Sequence, residues 1–419
     1  MRVQRCKGTQ DLSPEEMVRF RLIERAFRDC CLKYGYEEVR TPTLEYLHLF
    51  TSTGTLTPSM LGRVYSFLDW DGWSGERVVL RPDGTIPIAR LYIDSMEEKR
   101  LAKLFYVTNV FTFEETGKKT REKWQCGAEL IGVSSPLADV ELIILALEIL
   151  KKLRLEKVEL RLSHAGLIKA LLQKLELSPE EQTRIFDQIL DGDGEALAAI
   201  KMARPELKRV LSPLLDLKGK SSGFLKNLKA QLTHDLSGLE PYIDDFTSIV
   251  SLLEVLGCNY QIDMASARGF EYYTGVTSQL SMGGEKIGGG GRYDALIPLM
   301  GGRNIPASGF ALYLDRLMSM VKPETLAKPQ AQKILIRAEP GVVNETFSTA
   351  SYLREAGYVA ELNLDGEELA NFRWTVDIQS KAPPFILTDL VKHKKFEVQT
   401  AIEVLALLGE EGANKSSLT

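Results

Sequence analysis

No stretch of this chain approaches the roughly 18 uninterrupted apolar residues that a membrane helix needs, so no spanning helix is expected. The opening MRVQRCKGTQ has no apolar h-region, and no secretory signal is expected there. Positive charge is not in surplus: 52 Lys and Arg stand against 57 Asp and Glu, and the formal charge of −5 argues against a strongly basic nucleic-acid surface. Cysteine is scarce. The five present (Cys6, Cys30, Cys31, Cys126, Cys258) are odd in number, show no C-x-x-C spacing and sit mostly in apolar surroundings. That pattern fits reduced core thiols better than a disulfide framework or a metal site, and it points to the cytoplasm. No cofactor motif stands out. With 44% hydrophobic and 26% charged residues the chain has the make-up of a soluble globular protein, and 419 residues are too many for one typical core, which implies two or three domains.

The first helix is the easiest element to place. Ser13 with Glu16 forms a capping box, Pro14 takes the first helical position, and Val18, Leu22, Ile23, Ala26, Phe27 and Cys30 recur at helical spacing up to Gly35. Such a stripe needs a partner surface. Strands are expected at Glu37 to Pro42 and Arg77 to Leu80, and a helix buried on more than one side at Leu137 to Leu153, followed by a strand at Val158 to Leu162. From about 165 to 258 the chain is helical and charge-rich, with a second capping box at Ser178 to Glu181, and reads as an inserted helical subdomain. Strand patterning returns at Tyr260 to Met264 and Tyr272 to Leu280. Lys322 to Lys333, with two prolines and few apolar residues, reads as a linker. Beyond it, expected strands at Lys333 to Arg337, Val359 to Leu364 and Phe385 to Thr388 alternate with helices at Val343 to Ala356 and Thr400 to Leu408. They imply a small, parallel-biased α/β domain over 331–410 with a tail at 411–419.

Between Phe105 and Gly132 two apolar runs flank a charged turn, Glu114 to Lys123, and predict a long antiparallel hairpin. Gln125 and Glu129, four apart, fall on one strand face, where they suit a small polar ligand; the alternative is a solvated ribbon. This hairpin resembles the second signature motif of class II aminoacyl-tRNA synthetases, as carried by histidyl-tRNA synthetases and their paralogues. Five other stretches match in the family's order: Lys7 to Asp11, Arg81 to Thr85, Ala267 to Gly275, Gly289 to Asp294, and Gly309 to Leu317. The ordered set covers about the first 320 residues. It implies an α+β fold with an antiparallel sheet core flanked by helices over residues 1–325, the helical insertion at 165–258, and a C-terminal domain similar to an anticodon-binding domain. The resemblance also implies dimerisation through Pro14 to Pro42.

By the same resemblance the histidine-binding residues are Asp83, Gly84, Thr85, Gln125, Glu129, Arg268, Tyr272 and Tyr273, a set with the carboxylates and the Arg that a zwitterionic amino acid requires. The nucleotide side departs from the family pattern. Class II synthetases meet the α-phosphate charge with an Arg in Phe-Arg-x-Glu, where this chain has Thr112, a short neutral side chain that cannot replace a guanidinium. The hairpin tip is one residue short, its Gly-Arg-x-Arg run is reduced to Lys118-Lys119-Thr120-Arg121, and Tyr313 stands at the glycine beside which ATP passes, although Arg316 remains. An intact amino-acid half beside an altered nucleotide half is similar to the synthetase paralogues that serve as regulatory subunits of ATP phosphoribosyltransferase. That resemblance implies a non-catalytic role in the first step of histidine biosynthesis, a short-form catalytic subunit as partner, a homodimer core within a hetero-oligomer, L-histidine as ligand, and no tRNA. Two other readings stay open: a histidine–tRNA ligase, and a synthetase-like histidine-binding protein of another purpose.

Overall fold

The Ser13 hydroxyl accepts the Glu16 backbone N–H while the Glu16 carboxylate accepts the Ser13 N–H, and this reciprocal cap opens helix α1 (Pro14–Lys33). In the computed structural model of the chain all residues are described except 1–2, 54–55, 57–60, 63, 70–74, 114–120, 174–177, 179–180, 182–217, 232–237, 265–271, 323–331, 365–371 and 414–419. The buried face of α1 is rotated from the expected one: Phe20, Ile23, Phe27, Cys30 and Cys31 are buried, whereas Val18 is 48% exposed. Phe27 meets Phe105 and Phe310 edge-on, at 5.9 and 6.4 Å between ring centroids. The stripe is therefore used against the chain's own sheet.

Among the described residues that sheet has nine strands. β1 (Glu37–Glu38) pairs parallel with β5 (Ala102–Phe111), whose other neighbour is β6 (Glu122–Ile131). The strand expected from Glu37 to Pro42 stops after two residues because the Arg81 guanidinium bonds the Thr41 and Pro42 carbonyls, both at 2.9 Å, and holds a bend there. β2 (Leu44–Tyr46) joins instead a three-stranded sheet with β3 (Ser66–Leu68) and β4 (Arg77–Leu80), which leads to helix α2 (Thr85–Ser95). Beyond β6 come helix α3 (Pro136–Lys152), β7 (Glu159–His164), the edge strand β8 (Lys218–Gly219), β9 (Gln261–Asp263), β10 (Val276–Met282), β11 (Glu285–Arg292) and β12 (Ala307–Tyr313). The order across the sheet is β1-β5-β6-β12-β11-β10-β7-β9-β8.

Alternation along the central strands decides what each face does. On β6 and β12, Trp124, Ala128, Phe310 and Leu312 point to one side, and Phe20 and Phe27 of α1 pack there. Gln125, Glu129, Gly309, Ala311 and Tyr313 point to the other, so the polar site lies on the face away from α1. Helix α3 carries a buried Asp139 that pairs with Arg292 of β11; Arg292 also reaches Asp245 at 3.0 Å, and Asp245 the His164 Nε2 at 3.3 Å. Each buried charge there has a partner, as burial requires.

Of the segment from 165 to 258, residues 174–177, 179–180, 182–217 and 232–237 lie outside the described residues, and the described parts share the core of the sheet. The segment's helices Ala165–Gln173, Ser222–Gln231 and Glu240–Val255 bury Leu167, Leu225, Ile243 and Phe246 in the same core as the sheet, and β8 within it extends the sheet edge. The Ser178 cap forms, with the Glu181 N–H on the Ser178 hydroxyl at 3.2 Å. The strand expected from Tyr272 starts only at Val276, because the two tyrosines enter the site.

The chain divides into units at Met1–Leu326 and Ala327–Thr419. In the second, β13 (Lys333–Ala338) lies parallel between β14 (Val359–Leu362) and β15 (Trp374–Ile378), β16 (Phe385–Asp389) pairs antiparallel with β15, and β17 (Lys394–Val398) pairs antiparallel with β16. Among the described residues the sheet order is β14-β13-β15-β16-β17. β15 and β17 were not anticipated: Asp377 interrupts the first and charges dominate the second. In the fold, Arg337 neutralises Asp377 through two bonds of 2.6 and 2.7 Å, and Trp374 is fully buried. The last helix runs to Ala413, past the expected end at Leu408 and into the expected tail.

Candidate ligand-binding site

Asp83 sits just before α2, where its carboxylate accepts the Ile86 backbone N–H at 3.0 Å and caps the helix. Capping and burial oppose one another here, and burial prevails, pushing the Asp83 carboxyl up to about 6. Gly84 and Gly127 face the Tyr106 ring so closely that a Cβ at either would overlap it, and this lets the ring lie flat across β6. The Tyr106 hydroxyl thereby reaches Glu129 at 3.4 Å. Thr85 donates to the same Glu129 Oε1 at 2.8 Å, and the Tyr293 hydroxyl donates to Oε2. Gly309, opposite Glu129 on β12, is required in turn, since a Cβ there would overlap Oε2.

Burial, the largest influence, pushes the Glu129 carboxyl up to about 8; the hydroxyl donors pull against it, and the nearby Asp83 adds to the rise. Tyr106, Tyr272, Tyr273 and Tyr293 are raised by burial as well, so all four remain neutral phenols. Above Glu129 lies a cavity with about 740 Å³ of empty volume, lined by Asp83, Thr85, Gln125, Tyr272, Tyr273 and Tyr293 among others. Tyr272 touches Tyr273 and Tyr293 at ring separations of 5.2 and 5.5 Å. Among the described residues no basic side chain is hydrogen-bonded to Asp83 or Glu129. Two buried carboxyl groups facing an aromatic wall, with Lys286 also on the lining, form a receptor for a small polar ligand that brings positive charge to the carboxyl side.

The structure thus brings five of the expected residues to one cavity and puts Glu129 on its floor, held by Thr85 and Tyr293 rather than lining the space directly. Gly84 contributes clearance, and Arg268 lies outside the described residues.

Gln125 and Tyr313 also border a second cavity, of about 1150 Å³, lined by Thr112, Lys123, Lys286, Asp315 and Arg316 among others. Tyr313 lines both cavities. The Thr112 Oγ1 and Gln125 Oε1 are buried without a hydrogen-bond partner. Arg316 is paired with Glu285 at 3.6 Å, both side chains more than half exposed. Asp315 accepts the Trp124 N–H at 2.7 Å and ties β6 to the helix that follows β12. The charged tip of the hairpin, 114–120, lies outside the described residues.

The family model for histidyl-tRNA synthetase matches residues 8–317. Among curated relatives, the ATP phosphoribosyltransferase regulatory subunit of Dehalococcoides mccartyi strain BAV1 is 55% identical over 412 residues, covering 98% of this chain and all of the relative. The histidine–tRNA ligase of Methanococcus maripaludis strain C7 is 34% identical over 378 residues, 87% of each chain. The chain belongs to the histidyl-tRNA synthetase family, in its branch of ATP phosphoribosyltransferase regulatory subunits. Solved structures agree on the fold: a Bacillus halodurans regulatory subunit/histidyl-tRNA synthetase aligns with a TM-score of 0.78 at 23% identity, over 90% of this chain and 99% of that one. The Nostoc histidyl-tRNA synthetase aligns at 0.74 and 20% identity, over 95% and 97%.

Within this family fold, Tyr106 and Tyr293 are the site residues that sequence reasoning missed. Tyr293 lies inside the Gly289 to Asp294 motif, which served for recognition and was given no role. Tyr106 pairs across the hairpin with Gly127, and an aromatic opposite a strand glycine is the signal that it lies over the strand.

Proposed function

We propose that this regulatory subunit activates a separately encoded short ATP phosphoribosyltransferase and carries histidine feedback to it through the cavity above Glu129. The 55% identity over nearly the whole chain supports the assignment, and the cavity's buried, cation-seeking carboxyls support histidine as the ligand. Aminoacylation is not part of the proposal, because Thr112 leaves a buried hydroxyl where the family places a phosphate-binding guanidinium. Losing one preorganised donor of this kind costs about 3 kcal/mol, or a hundredfold in rate. Self-association through the Pro14 to Pro42 region belongs to the same proposal, and it would use the outward side of α1, where Val18 and Leu32 are exposed.

The test is to co-purify this chain with the catalytic chain of the same source and titrate histidine into each alone and into the mixture. Phosphoribosyl transfer should rise on mixing and become histidine-sensitive; effector coupling of about 1 to 3 kcal/mol would shift apparent affinities roughly 5- to 150-fold. Failure to associate or to change the rate rejects the proposal. The 34% identity to a histidine–tRNA ligase keeps one rival reading. Histidine-dependent exchange of pyrophosphate into ATP by this chain at ordinary synthetase rates, of order 10 per second, would favour it.

A further inference from the structure

We propose that Lys286 receives the carboxylate of the amino acid bound in the smaller cavity, so that the site distinguishes an amino acid from the matching amino alcohol or amine. This rests on the reading that the cavity takes histidine. Lys286 lies outside the motifs that carry the family resemblance, three residues before the stretch from Gly289 to Asp294.

The register of the sheet puts Lys286 on the ligand face. Gly291 and Gly289 of β11 stand opposite Gly309 and Ala311 of β12, which share the face of Gln125 and Glu129. Strict alternation back from Gly289 would give that face Ile287 and send Lys286 to the opposite one, where Phe310 and Leu312 lie. A bulge intervenes. Gly288 pairs with Leu280 of β10 and Lys286 with the next residue, Ser281, so Ile287 is the extra residue of the bulge. Ser281 shares its face with Gln279 and Thr277, the partners of Gly289 and Gly291, and Lys286 is thereby turned to the same side. Its stem runs back over Gly289, where a Cβ would stand 3.6 Å from Lys286 Cε.

Both Lys286 and Gly289 line the smaller cavity. Among the described residues on that lining Asp83 is the acid and Lys286 the base, and the other titratable groups are tyrosines. Opposite charges on the wall of one small cavity match a zwitterion, with the ligand's cationic end toward Asp83 and its carboxylate toward Lys286. Lys286 and Gln125 also border the larger cavity, so the carboxylate end lies at the boundary of the two and the imidazole deeper in the smaller one. A ligand without a carboxylate would leave the ammonium of Lys286 without that charge-assisted bond, and the site would bind it less tightly.

Calorimetry of the full chain with histidine, histidinol and histamine tests this. Histidinol keeps the imidazole and the amine and carries a hydroxymethyl group where histidine has its carboxylate; histamine carries neither. Wild type should bind histidine roughly ten- to a hundredfold more tightly than either, the range for a hydrogen bond to a charged group. Lys286→Met keeps most of the stem and removes the ammonium, so histidine affinity should fall by about tenfold or more while histidinol affinity stays within about twofold. Lys286→Arg should restore most of the preference, since it returns the charge. Lys286 is half-buried, and Lys286→Gln makes the same test should the methionine variant not fold.

Equal binding of histidine and histidinol by wild type, a preference that survives Lys286→Met, or an equal loss of both ligands in that variant overturns the role of Lys286 and leaves the histidine site standing. A preference lost in Arg268→Ala and kept in Lys286→Met gives the carboxylate to Arg268 instead. No binding of histidine by wild type overturns the histidine reading itself, and this inference with it.

Discussion

On one side of Gln125, both oxygens of Glu129 have hydroxyl donors and the surrounding aromatic rings are packed together; on the other, the Thr112 hydroxyl is buried without a partner and Arg316 is paired with Glu285 at the surface. The two cavities share Gln125, Lys286 and Tyr313, so the difference does not come from distance or from a different part of the fold. It comes from how each polar set is completed. A buried polar network is stable only when every member is satisfied, and removing one member leaves the others as a liability. The complete half is the one fit to recognise a ligand, whereas the incomplete half keeps its volume around a buried hydroxyl that has no partner.

The strongest way to break this comparison is to damage the complete half through its tightest contact. In Gly309→Ala the new methyl would overlap Glu129 Oε2, and β12 cannot retreat because it is paired with β6 and β11 on its two sides. Overpacking of this kind costs about 1 to 3 kcal/mol, and the upper end is expected here. Urea unfolding should register that loss, and calorimetry should show histidine affinity down by more than about a hundredfold. Retained affinity would mean that Glu129 is not part of the ligand site.

A second test uses pH on the empty protein. Glu129 ionises at its ordinary 4.5 in the unfolded chain and at about 8 when folded, so between those values the folded state holds a proton that the unfolded state has lost. Stability from this group is complete below 4.5 and falls as pH rises toward 8. Buried His164, whose pKa is lowered from 6.5 chiefly by burial, works in the opposite sense below 6.5, which leaves the window from 6.5 to 8 to Glu129. Thermal unfolding across that window should show a loss of about 1.5 kcal/mol, absent in Glu129→Gln.

How much of this was legible beforehand depends on whether a feature is local. The Ser13 and Ser178 caps, the hairpin and α3 follow from residues within a few positions of each other. The break after Glu38 does not, since it is made by Arg81, some 40 positions away in the chain. Nor was β15 legible, because Asp377 reads as a surface charge until Arg337 of β13 neutralises it. The same holds in the site. Asp83, Thr85, Gln125, Tyr272 and Tyr273 were reached through motif positions, but the floor that Tyr106 and Tyr293 build under the cavity exists only when β5, β6, β12 and β11 are side by side.

Tyr293→Phe sharpens the comparison by making the complete half resemble the incomplete one. The ring and its packing on Tyr272 remain while one donor to Glu129 is lost. A missing partner in a buried pair costs about 1 kcal/mol, and loss of a donor that favours the carboxylate should raise the Glu129 carboxyl further. The pH-dependent loss of stability would then extend above 8. An unchanged profile would show that Tyr293 does not govern the protonation of Glu129.

The smallest effect is expected from Glu285→Gln, and its smallness is informative. Glu285 and Arg316 face each other at 3.6 Å with side chains 53% and 59% exposed, where solvent screens the pair and holding two flexible chains offsets most of the attraction. Exposed pairs of this kind contribute about 0 to 1 kcal/mol. Removing the carboxylate should therefore change unfolding free energy by less than about 0.5 kcal/mol and leave histidine affinity alone, since the amino-acid half owes nothing to it. It does leave Arg316 without that anionic partner beside Lys123 and Lys286 at the edge of the larger cavity. If the two halves are now independent, the variant binds histidine as the parent does. A drop in histidine affinity of tenfold or more would show instead that the larger cavity still reports to the smaller one through Gln125 and Tyr313, and that the two are not functionally separate.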